Sequence, residues 1–311
     1  MERNVQTVIK EKNAGVTVMH YLLERFPYRS EEQWLHSINT EQLTINEEAV
    51  LPEQVLKAND LISLDLSDVA EPKVNTDYKI VYEDEFLLVV DKPGDLPVHP
   101  GGPFYKNSLW YMLKDKYPSI HLISRLDRET SGLMLIALHP KVARSLSKQM
   151  EKRKIKKEYL VLVEGEFPEA ISAPGFIDYD YDSPVYKKMI YTHDEDYLSH
   201  GKMGCFTEFK LLEHRNNLSL VHCTLHTGRR HQIRLTIQSL GFPVVGDKIY
   251  GVDASCYIRF VEKRISEEDF QKLRLRRQAL HSTKLCFNHP KTKEDLEFTS
   301  QVPEDFTRLL S

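Results

Sequence analysis

Ile123-Ser124-Arg125-Leu126-Asp127-Arg128-Glu129-Thr130-Ser131-Gly132 is a polar, charged run that ends in glycine and passes at once into Leu133-Met134-Leu135-Ile136-Ala137-Leu138. An unbroken apolar segment of that length predicts a buried strand. The polar run is therefore held on a loop braced by the core, where binding and catalytic groups are usually presented. Asp127 has an arginine on each side, Arg125 and Arg128, and nearby cations lower an Asp pKa and keep it ionised. A positioned carboxylate of that kind can serve as a nucleophile. Taken alone, the same cluster reads equally well as a surface ion-pair network.

Length and composition bound what surrounds this loop. With 311 residues the chain has room for two domains. A hydrophobic share of 41 % and a mean hydropathy of −0.44 suit a soluble globular protein. No basic-then-apolar opening and no run of ~20 apolar residues is present, so neither secretion nor membrane insertion is expected, and the cytoplasm is the default compartment. Cys205, Cys223, Cys256 and Cys286 lie far apart without a C-x-x-C pair. They are expected to be buried free thiols, with no disulfide framework and no structural zinc. The net charge of −4 is unevenly spread. Residues 1–77 carry seven Lys and Arg against 14 Asp and Glu, which leaves 35 against 32 for the rest. Lys148, Lys152, Arg153, Lys154, Lys156 and Lys157, with Arg229, Arg230 and Arg234, could form a local basic patch.

Arg125-Leu126-Asp127-Arg128-Glu129-Thr130-Ser131-Gly132 resembles the catalytic motif of the RluA-type pseudouridine synthases, which isomerise uridine in RNA. Further matches follow in the family's order. Val89-Val90-Asp91-Lys92-Pro93-Gly94, on to Val98-His99-Pro100, is similar to the entry motif, and Lys156-Lys157-Glu158-Tyr159-Leu160-Val161-Leu162-Val163-Glu164-Gly165 to the segment with the active-site tyrosine. Leu225-His226-Thr227-Gly228-Arg229-Arg230-His231-Gln232-Ile233-Arg234 and Gly241 to Gly251 resemble the third motif, and Arg277-Gln278-Ala279-Leu280-His281 and His289-Pro290 the tail. The resemblance runs from about Tyr78 to the C-terminus. Two positions depart from it: Ser124 stands where a His is usual, and Cys205 where an Ala is common. Neither removes a group the reaction needs.

The resemblance implies an α+β pseudouridine synthase fold over residues 76–311, a mixed, mostly antiparallel sheet flanked by helices with a central cleft. It implies no metal, nucleotide or redox cofactor, because breaking the N1–C1′ bond and joining C5 to C1′ changes neither composition nor oxidation state. The needs are a carboxylate that stays anionic, a cation to hold it and a pocket that shields the detached uracil. Asp127 would be the carboxylate, adding to the base or assisting its loss from C1′. Arg229 or Arg234 would pair with it. Tyr159 would stack on the uracil, with Leu225 and Ile233 as apolar walls and Lys92 and His231 also at the substrate. Arg125 would fill the space a flipped uridine leaves. The partner is then rRNA or tRNA and the protein a monomer. The alternative is a non-catalytic RNA-binding protein or folding helper on the same fold.

Along the chain, residues 1–75 form a small α+β domain. Helices are expected over Val16–Phe26 and Glu31–Ile38, and strands over Leu43–Asn46 and Leu61–Leu66. The order resembles the alpha-L RNA-binding module, in degenerate form, since Arg29-Ser30-Glu31-Glu32 offers one cation where the module presents several. Glu71–Asp77 reads as a linker. Two strands around an acidic turn are expected over Tyr78–Pro93, then an irregular loop in which His99 is a hydrogen-bonded loop residue. Helices are expected over 106–117, 140–154 and 230–240. Strands are expected over Tyr159–Val163 and Leu218–Leu225, and a hairpin over Asp178–Tyr197. His222 and His226 share a strand face without a third ligand, so no metal is expected there.

Overall fold

A computed structural model of the chain describes residues 4–26, 29–67, 70–185, 188–194 and 203–311, in two compact units. One unit takes the chain up to Lys73 together with Pro100–Lys106. It contains β1 (Asn4–Val8), α1 (Val18–Arg25), α2 (Glu31–Asn39), β2 (Leu43–Ile45), β3 (Glu48–Ala49) and β4 (Leu61–Asp65). The strands form an antiparallel sheet in the order β1-β4-β2-β3. Thr17 caps α1, and Ser30 and Gln33 close a capping box on α2, satisfying amides that the helix starts leave unpaired. Val18, Leu22, Trp34, Leu43 and Ile62 build the unit's own core. The strand β1 escaped sequence reading because its side chains are almost all exposed, so its hydropathy carries no alternation.

The second unit comprises Val74–His99 and Asn107–Ser311. Its 11-stranded sheet uses β5 (Lys79–Glu83), β6 (Leu87–Lys92), β7 (His121–Leu122), β8 (Ser131–Ala137), β9 (Lys156–Glu164), β10 (Ala170–Tyr179), β11 (Met189–Thr192), β12 (Met203–Arg215), β13 (Leu218–Leu225), β14 (Leu280–Asn288) and β15 (Asp295–Thr299). Around it stand α3 (Leu109–Lys114), α4 (Pro140–Glu151), α5 (Gln232–Ser239), α6 (Ser255–Val261), α7 (Glu267–Leu273) and α8 (Glu304–Leu310). The main strand path runs β11-β10-β12-β13-β9-β14-β8-β6-β5. Every ladder is antiparallel except β14 with β8. The α+β class and mostly antiparallel sheet follow the expectation.

That parallel junction explains the end of the polar run. His281 lies beside Ser131 and Ser282 beside Gly132. Gly132 has φ +107°, and a Cβ there would lie 2.2 Å from the Ser282 carbonyl oxygen. Only glycine tolerates both the conformation and the approach. The apolar run Leu133–Ala137 is buried throughout, as its composition predicted. The β10–β11 pairing, from Phe176 opposite Thr192 to Tyr179 opposite Met189, overlaps the expected 178–197 hairpin but begins two residues before it. Residues 186, 187 and 195–197 of that hairpin lie outside the described residues.

Candidate active site

Asp127 lies four residues before β8 begins, and α5 and the approach to β14 bring its partners to it. Arg234, in the first turn of α5, donates from Nη1 to Asp127 Oδ2 at 2.8 Å. The rest of its guanidinium forks onto Asp247, Nε to Oδ2 at 2.6 Å and Nη2 to Oδ1 at 2.8 Å. Asp247 also accepts from the amides of Ile249 and Tyr250, both at 2.9 Å. Arg234 and Asp247 are buried, so this doubly bonded pair fixes where the third guanidinium nitrogen points. Gly246 makes the turn possible: its φ is +75°, and a Cβ would fall 1.9 Å from the Arg277 carbonyl oxygen. Gln278 Nε2 completes the grip, 2.6 Å from Thr130 Oγ1 and 3.3 Å from Asp127 Oδ2.

The two oxygens of Asp127 thus differ. Oδ2 accepts from Arg234 and Gln278, whereas among the described residues Oδ1 has only His231 Nε2 near it, at 3.6 Å, beyond hydrogen-bond range. The side chain keeps 33 % of its surface exposed. Burial alone would raise its pKa; His231 when its ring is protonated, the Arg234 charge, and the hydrogen bonds from Arg234 and Gln278 outweigh that and hold the carboxyl well below the usual carboxylate range. Burial and the Arg234 charge push His231 down to about 4. It is therefore neutral at neutral pH, and Arg234 is the cation that keeps Asp127 ionised. Tyr250 Oη receives the Met189 amide and lies 3.1 Å from His231 Nδ1. Burial drives the Tyr250 pKa to about 12, so its hydroxyl keeps a proton to give. Donation to Nδ1 leaves the imidazole hydrogen on Nε2, facing Oδ1.

Tyr159 is buried on β9 opposite Cys223 and Ser282. Burial lifts its pKa to about 12 against the pull of the Ser282 hydroxyl, and the Asp127 charge adds to the rise. A neutral phenol within the field of Asp127 can stack on a base or donate a proton, but it is a poor proton acceptor at neutral pH. Ile233 is buried and Leu225 half-buried against the same core.

Several sequence expectations need correction. Arg229 is exposed, with Nε 3.3 Å from the Gly204 carbonyl oxygen; as α5 starts only at Gln232, Arg229 stays on the turn outside, and Arg234 is the residue that pairs with Asp127. Lys92 does not face a substrate. It is fully buried and its ammonium spends its hydrogens on the carbonyls of Pro93, Leu96 and Arg128, at 2.7, 3.0 and 3.1 Å. It thus ties β6 to the Asp127 loop. His99 is exposed without a hydrogen bond among the described residues, because the loop carries it outward. Arg125 is exposed on the Asp127 loop. His222 and His226 bond separate carboxylates, Glu158 at 2.9 Å and Glu208 at 2.6 Å. Asp253, Cys256 and Asp269 converge, and the Arg259 guanidinium donates to all three. Of the cysteines, Cys286 is only half-buried.

Sequence reading missed a supporting layer. Glu129 accepts from Lys248 at 2.8 Å, Arg128 at 3.2 Å and the Gln278 amide at 3.1 Å, and Asp247 and Gln278 position Arg234 and Asp127 as above. The Arg-Gln-Ala-Leu-His and Gly-Asp-Lys segments held these residues, but nothing in their spacing links them to Asp127.

Comparisons with known proteins identify the family. Residues 86–239 match the family model described as RNA pseudouridylate synthase. Ribosomal large subunit pseudouridine synthase D of Pseudomonas aeruginosa is 30 % identical over 297 residues, covering 92 % of this chain and 88 % of that protein. The mitochondrial tRNA pseudouridine(32) synthase of Saccharomyces cerevisiae is 31 % identical over 252 residues, 80 % of this chain and 53 % of that protein. The solved structure of human RNA pseudouridylate synthase domain containing 1 superposes with a TM-score of 0.59 at 25 % identity, covering 75 % of this chain and 86 % of that one. Fold and site together define a pseudouridine synthase. The chain belongs to the RluA-type family of these enzymes, isomerases that convert uridine to pseudouridine.

Proposed function

We propose that the chain isomerises specific uridines of rRNA or tRNA, with Asp127 as the catalytic carboxylate. The observation that carries this is the asymmetry of Asp127: one oxygen anchored by Arg234 and Gln278, the other without a hydrogen bond among the described residues, on a partly exposed side chain. An anion with a fixed orientation and an open lone pair can add to the base or assist departure of uracil from C1′. Tyr159 stacks on the base, a contact worth ~1–3 kcal/mol. Leu225 and Ile233 keep water from the detached ring, and Arg125 enters the space the flipped nucleotide leaves. The printed names of the relatives, one acting on the large ribosomal subunit and one on tRNA, support these two RNA classes. We place the enzyme in the cytoplasm as a monomer, with residues 1–75 as a degenerate alpha-L-like module and residues 76–311 as the catalytic domain.

The test is pseudouridine mapping of rRNA and tRNA from cells lacking the protein, complemented by wild type or by Asp127→Ala. A site that disappears and returns only with wild type establishes both the reaction and the carboxylate. Restoration by Asp127→Ala would overturn the catalytic reading in favour of an RNA-binding helper.

A further inference from the structure

Lysines that leave the surface in this protein are held by named partners. Lys92 has three carbonyls, Lys248 has Glu129 and the Arg276 carbonyl, and Lys188 has Asp180 at 3.5 Å. Lys157 is half-buried on β9, and its ammonium has no hydrogen bond or ion pair among the described residues. Burial lowers its pKa, and no neighbouring anion opposes the shift. A cation removed from water without a counter-charge is costly, so a partner from outside the chain would be gained on favourable terms.

Register shows where that partner would sit. Tyr159 stands opposite Cys223 and Glu158 opposite Thr224, which brings Lys157 level with Leu225 at the end of β13. Alternation puts Lys157 on the face of Tyr159, and puts Glu158 with its partner His222 on the other. The Lys157 ammonium reaches the turn after β13, 3.4 Å from where a Cβ on Gly228 would be. Arg229 and Arg230 stand exposed on that same turn. Lys157 thus lies on the tyrosine's face of the sheet, and two exposed arginines follow Gly228 on the adjoining turn. A compact ammonium with two exposed arginines on the neighbouring turn suits a phosphodiester rather than a neutral nucleobase.

We infer that Lys157 binds a backbone phosphate next to the flipped nucleotide, holding the strand while Tyr159 takes the base. The inference rests on the reading that RNA enters at Asp127 and Tyr159, and adds a residue that reading does not use. The test uses the full chain and a short fluorescent oligouridylate, measuring affinity against salt concentration. Lys157→Met should flatten the slope of log affinity against log salt by about 0.7, the increment for one single-strand phosphate contact. Lys157→Arg should restore it, and Lys272→Met, which removes an exposed charge on α7, should leave it unchanged. A wild-type slope in Lys157→Met, an equal fall in Lys272→Met, or failure of Lys157→Arg to restore the slope overturns the inference. Urea unfolding confirms that each variant is folded, with Lys157→Gln replacing a methionine variant that is not. The slope does not depend on turnover. A phosphate contact without any pseudouridine product would sink the catalytic reading alone, and an unchanged slope alongside product would sink the phosphate site alone.

Discussion

At the residue scale, the Asp127 site works because Arg234 is spoken for twice. Its fork onto Asp247 leaves a single Nη1 for Asp127, and lysine can supply the charge but not the fork. Arg234→Lys should therefore lower kcat by roughly 10²-fold, the scale of losing one preorganised donor, with KM little changed. Initial rates of pseudouridine formation check this, and a variant affected mainly in KM would show that Arg234 acts on binding. As Asp127 titrates below its ordinary 3.8, its contribution to stability is full at neutral pH and is lost as pH falls toward the depressed folded value. His231 gives a second, spectroscopic expectation. At neutral pH its ¹⁵N shifts should report a neutral ring with hydrogen on Nε2, and Tyr250→Phe should mix the tautomers; an imidazolium signal would mean that His231 shares in holding Asp127. Asp127, Tyr159 and Arg234 could be read from motifs, whereas Gln278 lies 151 positions from Asp127 and Asp247 carries no local signal of its target. Their proximity is created by the β14–β8 junction and the turn at Gly246.

At the element scale, the loop carrying Asp127 is clamped from both sides. On the β14 side, Gly132→Ala would press a methyl group into the Ser282 backbone at positive φ. Overpacking alone costs about 1–3 kcal/mol, and a drop of that size or more should appear in the urea midpoint; an unchanged midpoint would mean that the junction yields freely. On the β6 side stands Lys92, whose pKa burial lowers from 10.5 to about 7, with Asp127 opposing the shift. Between those values the unfolded chain binds more protons than the folded one, so this residue makes stability rise with pH from about 7 to 10.5. Lys92→Met should remove that rise, and should also weaken the fold at pH 7 by leaving the Pro93, Leu96 and Arg128 carbonyls without their donor. Urea titrations across the range check both, and an identical pH slope in the two proteins would refute the linkage. The helices α1, α2, α4 and α5 and the strands β6, β8, β9 and β13 were legible because each carries an apolar face or run. The strand β12 was not, because its C-terminal half, Leu211–Arg215, is largely exposed and breaks the alternation. The strand β14 mixes His281, Ser282, Thr283 and Lys284 with its apolar residues, and a register shift there interrupts the period.

At the scale of the whole molecule, the charge is divided between the units. Residues 1–77 hold an excess of acid and the remainder a small excess of base, so a net charge of −4 is compatible with an RNA enzyme whose cations lie mostly beyond residue 77. The N-terminal unit has one cation at the start of α2, Arg29, and it is engaged internally. Arg29 lies 4.3 Å over the Trp34 ring and donates to Ser37 Oγ at 2.8 Å and the Gln33 carbonyl at 3.1 Å. Beside it Glu31 and Glu32 occupy the first turn, where they favour the helix dipole and repel phosphate. Replacing both residues, Glu31→Gln with Glu32→Gln, should cost about 0.3–1 kcal/mol per charge removed and leave the salt dependence of oligouridylate binding unchanged. A higher affinity in the double variant would instead mean that this helix start lies against the RNA, and that the acidic pair limits binding there.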